Sequence, residues 1–213
     1  MNTTSFFEFQ GGNRLLLIIA GGSCAGKTTL ASVLSEFAIS KNLKPFVLSQ
    51  DNYFLDFNDV TDLACIDFDI PNAYDNDMLI KNVKSILRGQ LTEIPEYDFL
   101  SHKRECLRRT DYVPDVLIVE GLFSLYLDEL VALSKMKIFI EIDNHAMLSR
   151  RVRRDVNERG FTADEIIERH NRFIKPRYQE LIYPTRLKAD FNLSGKKDFL
   201  EQLEIVGSRR LRV

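Results

Sequence analysis

Residues 21–29 read GGSCAGKTT. They follow the apolar run RLLLIIA (14–20) and open KTTLASVLSEFAISKN (27–42), whose apolar residues recur at helical spacing. Gly21, Gly26, Lys27 and Thr28 satisfy the pattern GxxxxGK[ST]. The physical demand behind that pattern is geometric: successive backbone N–H groups must turn inward around phosphate oxygens, and a helix must start there so that its positive end faces the anion. A Gly-rich turn can match so short a pattern by accident, but the strand before it and the helix after it are the context the motif needs. Gly21, Gly22, Ser23, Cys24, Ala25, Gly26, Lys27, Thr28 and Thr29 are therefore read as a cradle for a nucleoside triphosphate. Lys27 would reach the β and γ phosphates, and Thr28 would place its hydroxyl on Mg²⁺.

Three further apolar runs, PFVLS (45–49), DVLIVEG (115–121) and KIFIEID (137–143), have strand length and no polar alternation, as expected of strands buried on both faces of a parallel sheet. KADFNLS (188–194) is a fifth candidate. Between them lie helical patterns at 27–42, 76–89, 146–160 and 162–182. Strands alternating with helices predict an α/β fold, here a P-loop NTPase fold with helices flanking a parallel sheet. Thr162 and Glu165 have the spacing of a capping box, and Gly160 ends the helix before it, so a hinge is expected there. Residues 91–114 contain two prolines and no helical period, which predicts a strand-rich excursion. No internal repeat or low-complexity linker breaks the chain, and 1–213 is read as one domain.

The composition narrows the partners. A formal net charge of -2 over 213 residues gives no global attraction to nucleic acid or to an anionic membrane. Cys24, Cys65 and Cys106 are too scattered for a zinc knuckle or a disulfide framework, so a reducing compartment is expected. The opening MNTTSFFEFQGGN lacks a signal-peptide pattern, and no apolar run approaches the ~20 residues that span a bilayer. These features predict a cytoplasmic protein with a small-molecule partner.

Triphosphate-binding loops serve switches, motors and small-molecule kinases. The DxxG and NKxD strings of a GTP-binding switch are absent from the sequence. A kinase needs a base beside the acceptor hydroxyl and positive charge over the transferring phosphoryl group. Asp51, in LSQDNYF, and Glu120, in LIVEG, sit just past predicted strands, where open α/β sheets bind ligands. Glu120 could hold Mg²⁺ directly or through water; either carboxylate could instead be an ordinary loop or capping residue.

With SQDNYF, FDIPNAYD, IPEYDFLSHKR, VLIVEGLFSLY and SRRVRRDVNERG added to the loop, the chain resembles the uridine–cytidine kinases, relatives of phosphoribulokinase, from about Arg14 to Ser194. The resemblance implies that Asp51 is the general base for the nucleoside 5′-hydroxyl, close enough to Mg²⁺ to stay ionised. It implies that Asp69 holds the ribose hydroxyls, that Tyr97 and His102 meet the pyrimidine edge, and that Phe99 walls the base pocket. Taken alone, His102 reads as a surface histidine.

The arginines at 150, 151, 153, 154 and 159 could form a solvated helix face or a nucleic-acid patch. At ~100° per residue Arg150, Arg151 and Arg154 share one side, with Arg153 turned away. The resemblance makes 146–170 a lid in which Arg151 contacts substrate while Arg154 and Arg159 close over the ATP phosphates, where guanidinium forks suit phosphate oxygens. It also implies a homo-oligomer. The chain departs from the family pattern at Ile70, where histidine is usual, at Phe161, where arginine is usual, and at Arg169, where glutamine is usual. All three are expected in the acceptor pocket, with Arg169 supplying the lost donor. The expected activity is ATP- and Mg²⁺-dependent phosphorylation of uridine or cytidine. Nothing reads the donor base, so GTP stays open as a donor. The competing readings are a kinase for another hydroxylated metabolite, such as a modified nucleoside, a sugar phosphate or a pantothenate-like acceptor, and an ATP-binding regulator.

Overall fold

The computed structural model describes residues 14–56 and 67–210; the opening segment and Cys65, both used above, lie outside the described residues. In chain order the elements are β1 (Leu15–Gly21), α1 (Lys27–Ser40), β2 (Pro45–Ser49), α2 (Asn76–Leu87), β3 (Glu93–Asp98) and β4 (Lys103–Arg109). There follow β5 (Val116–Gly121), α3 (Asp128–Leu133), β6 (Met136–Glu141), α4 (Asn144–Glu158), α5 (Ala163–Arg169), α6 (Lys175–Arg177), β7 (Phe191–Ser194) and α7 (Phe199–Arg210).

Five strands form one parallel sheet in the order β2, β5, β1, β6, β7. All of β5 and six of the seven residues of β1 are buried, which is why these segments are continuously aliphatic. α1 covers them with Leu30, Ala31, Leu34 and Ala38, and Tyr53, Phe123 and Phe139 are the largest fully buried side chains. Each large apolar side chain so buried contributes roughly 1.5–3 kcal/mol. Because the strands are parallel and in register, their carboxyl ends share one edge, where Ser49 sits beside Glu120 and Ala20 beside Gly121. The functional loops therefore emerge together.

β3 and β4 form a separate antiparallel pair with a bulge at Glu96/Tyr97, within the stretch read as strand-rich. Caps set three helix starts: Asp75 accepts from the Met78 amide at 3.0 Å, Asp143 accepts from the Ala146 amide at 2.9 Å, and Thr162 with Glu165 forms the expected capping box. Among the described residues no helix is long and apolar enough to cross a membrane.

Three sequence expectations change in detail. The single helix expected over 162–182 is α5 and α6 joined by a π-helical turn at His170–Ile174, followed by a second such turn at Tyr178–Ile182 and a 3-10 stretch at Tyr183–Lys188. Pro176 lacks the N–H that a regular ladder would use, and wider turns accommodate it. The last strand is only Phe191–Ser194, because it pairs with β6 alone over four residues. Two further helices, α3 and α7, carry too short or too weak an apolar period to stand out in the sequence.

Candidate active site

The phosphate loop is shaped by its glycines. Gly26 caps α1 at φ 103°, a conformation costly for any residue with a side chain. A Cβ on Gly22 would lie 2.6 Å from Met147 Cε, so the loop packs directly on α4. Gly21, Gly22 and Ala25 are buried and build the turn, while Ser23, Cys24, Gly26, Lys27, Thr28 and Thr29 line a cavity of about 380 Å³. Lys27 Nζ donates to the Gly22 carbonyl at 3.0 Å, which holds its charge across the loop mouth. Cys24 is a free thiol on the cavity wall.

Beside the loop, Glu120 is buried at the end of β5. Its Oε1 accepts from Ser49 Oγ at 2.8 Å and from Thr28 Oγ1 at 3.4 Å. Burial pushes the Glu120 carboxyl above the usual carboxylate range; Lys27 opposes the shift and Asp51 adds to it. Asp51 lies on a 3-10 turn, Gln50–Tyr53, that starts where β2 ends. That turn is pinned by Gln50, fully buried, whose Oε1 accepts from the Phe123 amide at 2.9 Å and whose Nε2 donates to Asn76 Oδ1 at 3.1 Å. Thr28, Asp51 and Glu120 thus converge as hard oxygen donors. Among the described residues no three His, Cys, Asp or Glu side chains form a metal cage. Two carboxylates and a hydroxyl fit Mg²⁺, which binds through few protein ligands and completes its shell with water and phosphate.

The far end of the cavity is aromatic. Phe54 packs against Tyr74 (4.1 Å between centroids), Tyr97 (5.2 Å) and Phe99 (6.0 Å). His102 stacks on Phe68 at 5.6 Å, and its Nδ1 lies 3.5 Å from Tyr97 Oη. It sits in the β3–β4 turn at φ 56°, where Asp98 accepts from the Leu100 and Ser101 amides at 3.0 and 2.9 Å. Burial lowers the His102 pKa, and Arg169 and Arg159 lower it further, so the ring is neutral near pH 7. Burial, with Asp56 and Asp98, pushes Tyr97 up to about 12 and keeps its proton.

Between the two ends stands a charge cluster. Asp69 is buried, 3.6 Å from Arg151 Nη1, and burial outweighs that cation to raise its pKa. Asp155 Oδ2 meets Arg151 Nε at 3.1 Å, and its Oδ1 meets Arg154 Nε at 2.7 Å and Arg159 Nε at 3.6 Å. Burial alone would raise the Asp155 carboxyl; the three guanidiniums together hold it below the usual range. Arg159 also lies 3.8 Å over the Phe99 ring. Arg150 ties α4 to the phosphate loop by donating to the Cys24 carbonyl (3.2 Å) and the Gly195 carbonyl (2.8 Å), while Arg153 is exposed. Arg169, 7% exposed, lies 5.1 Å from the Phe68 ring and 5.4 Å from the Phe161 ring.

The cavity therefore brings together Lys27, Thr28, Asp51, Asp69, Tyr97, Phe99, His102, Glu120, Arg151, Arg154, Arg159 and Arg169, drawn from both halves of the chain. One expectation is corrected. Ile70, placed in the acceptor pocket by sequence, does not line the cavity; it packs against the core before the 3-10 turn Pro71–Ala73, and Phe161 and Arg169 alone of the three departures face the site. Sequence reasoning missed Phe54, Phe68, Tyr74 and Asp155, all of which line it. Only Asp155 left a signal, four residues from Arg151 on one side and from Arg159 on the other.

A phosphate loop at the edge of a parallel sheet, facing carboxylates and arginines, defines a P-loop phosphotransferase. The Phosphoribulokinase / Uridine kinase family model matches residues 16–198. The chain belongs to this family. It is 36% identical over 195 residues to uridine-cytidine kinase A of Dictyostelium discoideum, covering 91% of this chain and 38% of that protein. It is 35% identical over 182 residues to the uridine kinase of Streptococcus gordonii, covering 84% of this chain and 85% of that one. The chain thus spans well under half of the first relative and most of the second. Phosphoribulokinase from Rhodobacter spheroides has the same fold at TM-score 0.69 and 15% identity, covering 85% of this chain and 70% of that chain. D-glycerate 3-kinase from Cryptococcus neoformans superposes at TM-score 0.61 and 17% identity, covering 87% and 88%.

Proposed function

We propose that the protein transfers the γ-phosphoryl group of ATP to the 5′-hydroxyl of uridine or cytidine, giving UMP or CMP. The observation that carries this reading is the placement of Asp51 and Asp69 in one cavity with both the phosphate loop and an aromatic end holding a neutral histidine. The relatives' names supply the nucleoside, and the cavity offers matching chemistry: a flat ring between Phe68, Phe99 and Tyr97, a diol on Asp69, and a primary hydroxyl on Asp51.

In the reaction the 5′-oxygen attacks the γ-phosphorus as the bond to the β–γ bridging oxygen breaks. Asp51 accepts the hydroxyl proton. Lys27, Arg154 and Arg159 offset charge on the transferring group and on ADP as it leaves. Thr28, Asp51 and Glu120 would hold Mg²⁺, which supplies charge neutralisation on the phosphates. Arg169 and His102 donate to the pyrimidine edge. Salvage of preformed nucleosides in the cytoplasm is the setting that fits such an activity.

The test is phosphoryl transfer from ATP or GTP to uridine, cytidine, adenosine, ribulose 5-phosphate and pantothenate, with and without Mg²⁺. Mg²⁺-dependent turnover confined to uridine or cytidine is expected. Turnover of one of the other acceptors instead, or ATP hydrolysis alone, would overturn the reading.

A further inference from the structure

Tyr74 is 4% exposed and lines the cavity, yet its hydroxyl has no hydrogen-bond partner among the described residues. A buried hydroxyl without a partner forfeits hydration for nothing, so such groups in native proteins ask for a reason. The ring cannot swing away to find water. It is stacked on Phe54 at 4.1 Å with 28° between planes and abuts Phe123 edge-on at 5.7 Å. Its backbone bridges Phe54, and the next amide, Asp75 N, donates to the Tyr53 carbonyl at 2.7 Å. The position of the hydroxyl is therefore set by the fold, as is that of a preorganised binding group.

Its surroundings say what it can bind. Tyr74 lines the same cavity wall as Asp51 and Asp69, the groups read above as meeting the attacking hydroxyl and the diol, with Arg151 and Arg159 also on that wall. Phenols titrate near pH 10 even in water, and burial with these two carboxylates pushes this one higher, so at neutral pH the group is a donor. Carboxylate oxygens are acceptors, and they suit the sugar's hydroxyl protons. The remaining polar atom of the sugar is the ring oxygen, bonded to the carbon that carries the 5′-methylene; it has no hydrogen and can only accept.

We infer that the Tyr74 hydroxyl is a specificity-determining group that donates a hydrogen bond to the ring oxygen of the acceptor sugar. The inference rests on the nucleoside reading above. The phenol is satisfied only when a furanose is bound, so the site favours an acceptor with an oxygen in its ring over one of the same shape without it.

The experiment compares uridine with carbocyclic uridine, in which a methylene replaces the ring oxygen, for the wild-type protein and Tyr74→Phe. The preference for uridine in kcat/KM is expected to be about fivefold larger for wild type than for Tyr74→Phe, the size of one neutral hydrogen bond. KM for ATP should not move. Thermal melting of the ligand-free proteins is the second readout: Tyr74→Phe, relieved of an unpartnered hydroxyl, should melt no lower than wild type. An equal uridine preference in both proteins overturns the inference while leaving the kinase reading intact. A lower melting temperature for Tyr74→Phe overturns it too, by revealing a partner within the protein. Wild type that phosphorylates neither compound defeats the nucleoside reading and this inference together.

Discussion

Asp155 and Arg154 are neighbours in sequence whose side chains meet at 2.7 Å, Oδ1 to Nε, and the same carboxylate reaches Arg151 and Arg159 from opposite ends of a two-turn span. One buried anion thereby sets three guanidiniums that face different parts of the cavity. Removing one partner from a buried charge cluster costs more than its net worth, because the remaining charges stay buried.

Asp155→Ala is expected to lower stability by about 3 kcal/mol and kcat by more than tenfold, since a misplaced arginine no longer covers the phosphoryl group. Asp155→Asn, which keeps hydrogen bonds to Nε groups, should lose less of both. Because the carboxyl is held below the usual range, its contribution is present above about pH 4 and disappears as pH falls through its folded value. Denaturant melts at pH 7 and pH 3 check the sign: the gap between wild type and Asp155→Asn should narrow at pH 3. Equal gaps would assign the carboxylate no linked stabilisation.

Asp51→Asn should reduce kcat by roughly 10²–10⁴-fold while ATP affinity stays near that of wild type, because the substitution removes the proton acceptor and keeps the shape of the turn. Rapid-quench turnover and a fluorescent ATP analogue separate the two. Near-normal turnover would take Asp51 out of the chemistry.

Gly121→Ala tests the support under Asp51. A Cβ at Gly121 would lie 2.4 Å from both Cβ and Oε1 of Gln50, so the side chain that pins the Asp51 turn must move. Misplacement of a reacting group by about 1 Å can cost ~100-fold in rate, with overpacking taking roughly 1–3 kcal/mol of stability. Steady-state kinetics with a thermal melt read both. Full kcat in Gly121→Ala would show that Gln50 does not position the base.

His102 should give the acceptor KM an acid limb. Its folded pKa lies below the usual histidine value, so KM stays flat above about pH 6.5 and rises as pH falls below it and the ring gains a proton beside Arg169 and Arg159. Arg169→Gln removes the larger of the two repelling cations, so the limb should move to higher pH. Ring-proton NMR titration of the three histidines, with His102→Gln for assignment, checks the shift directly. An unmoved limb would place Arg169 too far from the ring to matter.

Much of this site is legible in one dimension. The phosphate loop, the strands that carry Ser49 and Glu120, the strand-rich character of 91–114 and the helical spacing of the arginines follow from a glycine motif and backbone periods, which act over a few residues and leave local patterns, while the roles of Tyr97, His102 and those arginines come from the family resemblance. What only the tertiary structure decided is which side chains meet across long separations. Tyr74 stacks on Phe54, Phe68 faces both His102 and Arg169, and Ile70 turns to the core although it sits beside Asp69. Those contacts are selected by sheet register and by the packing of nonlocal surfaces, whose energy depends on every neighbour at once. A side chain's own segment therefore carries no trace of them.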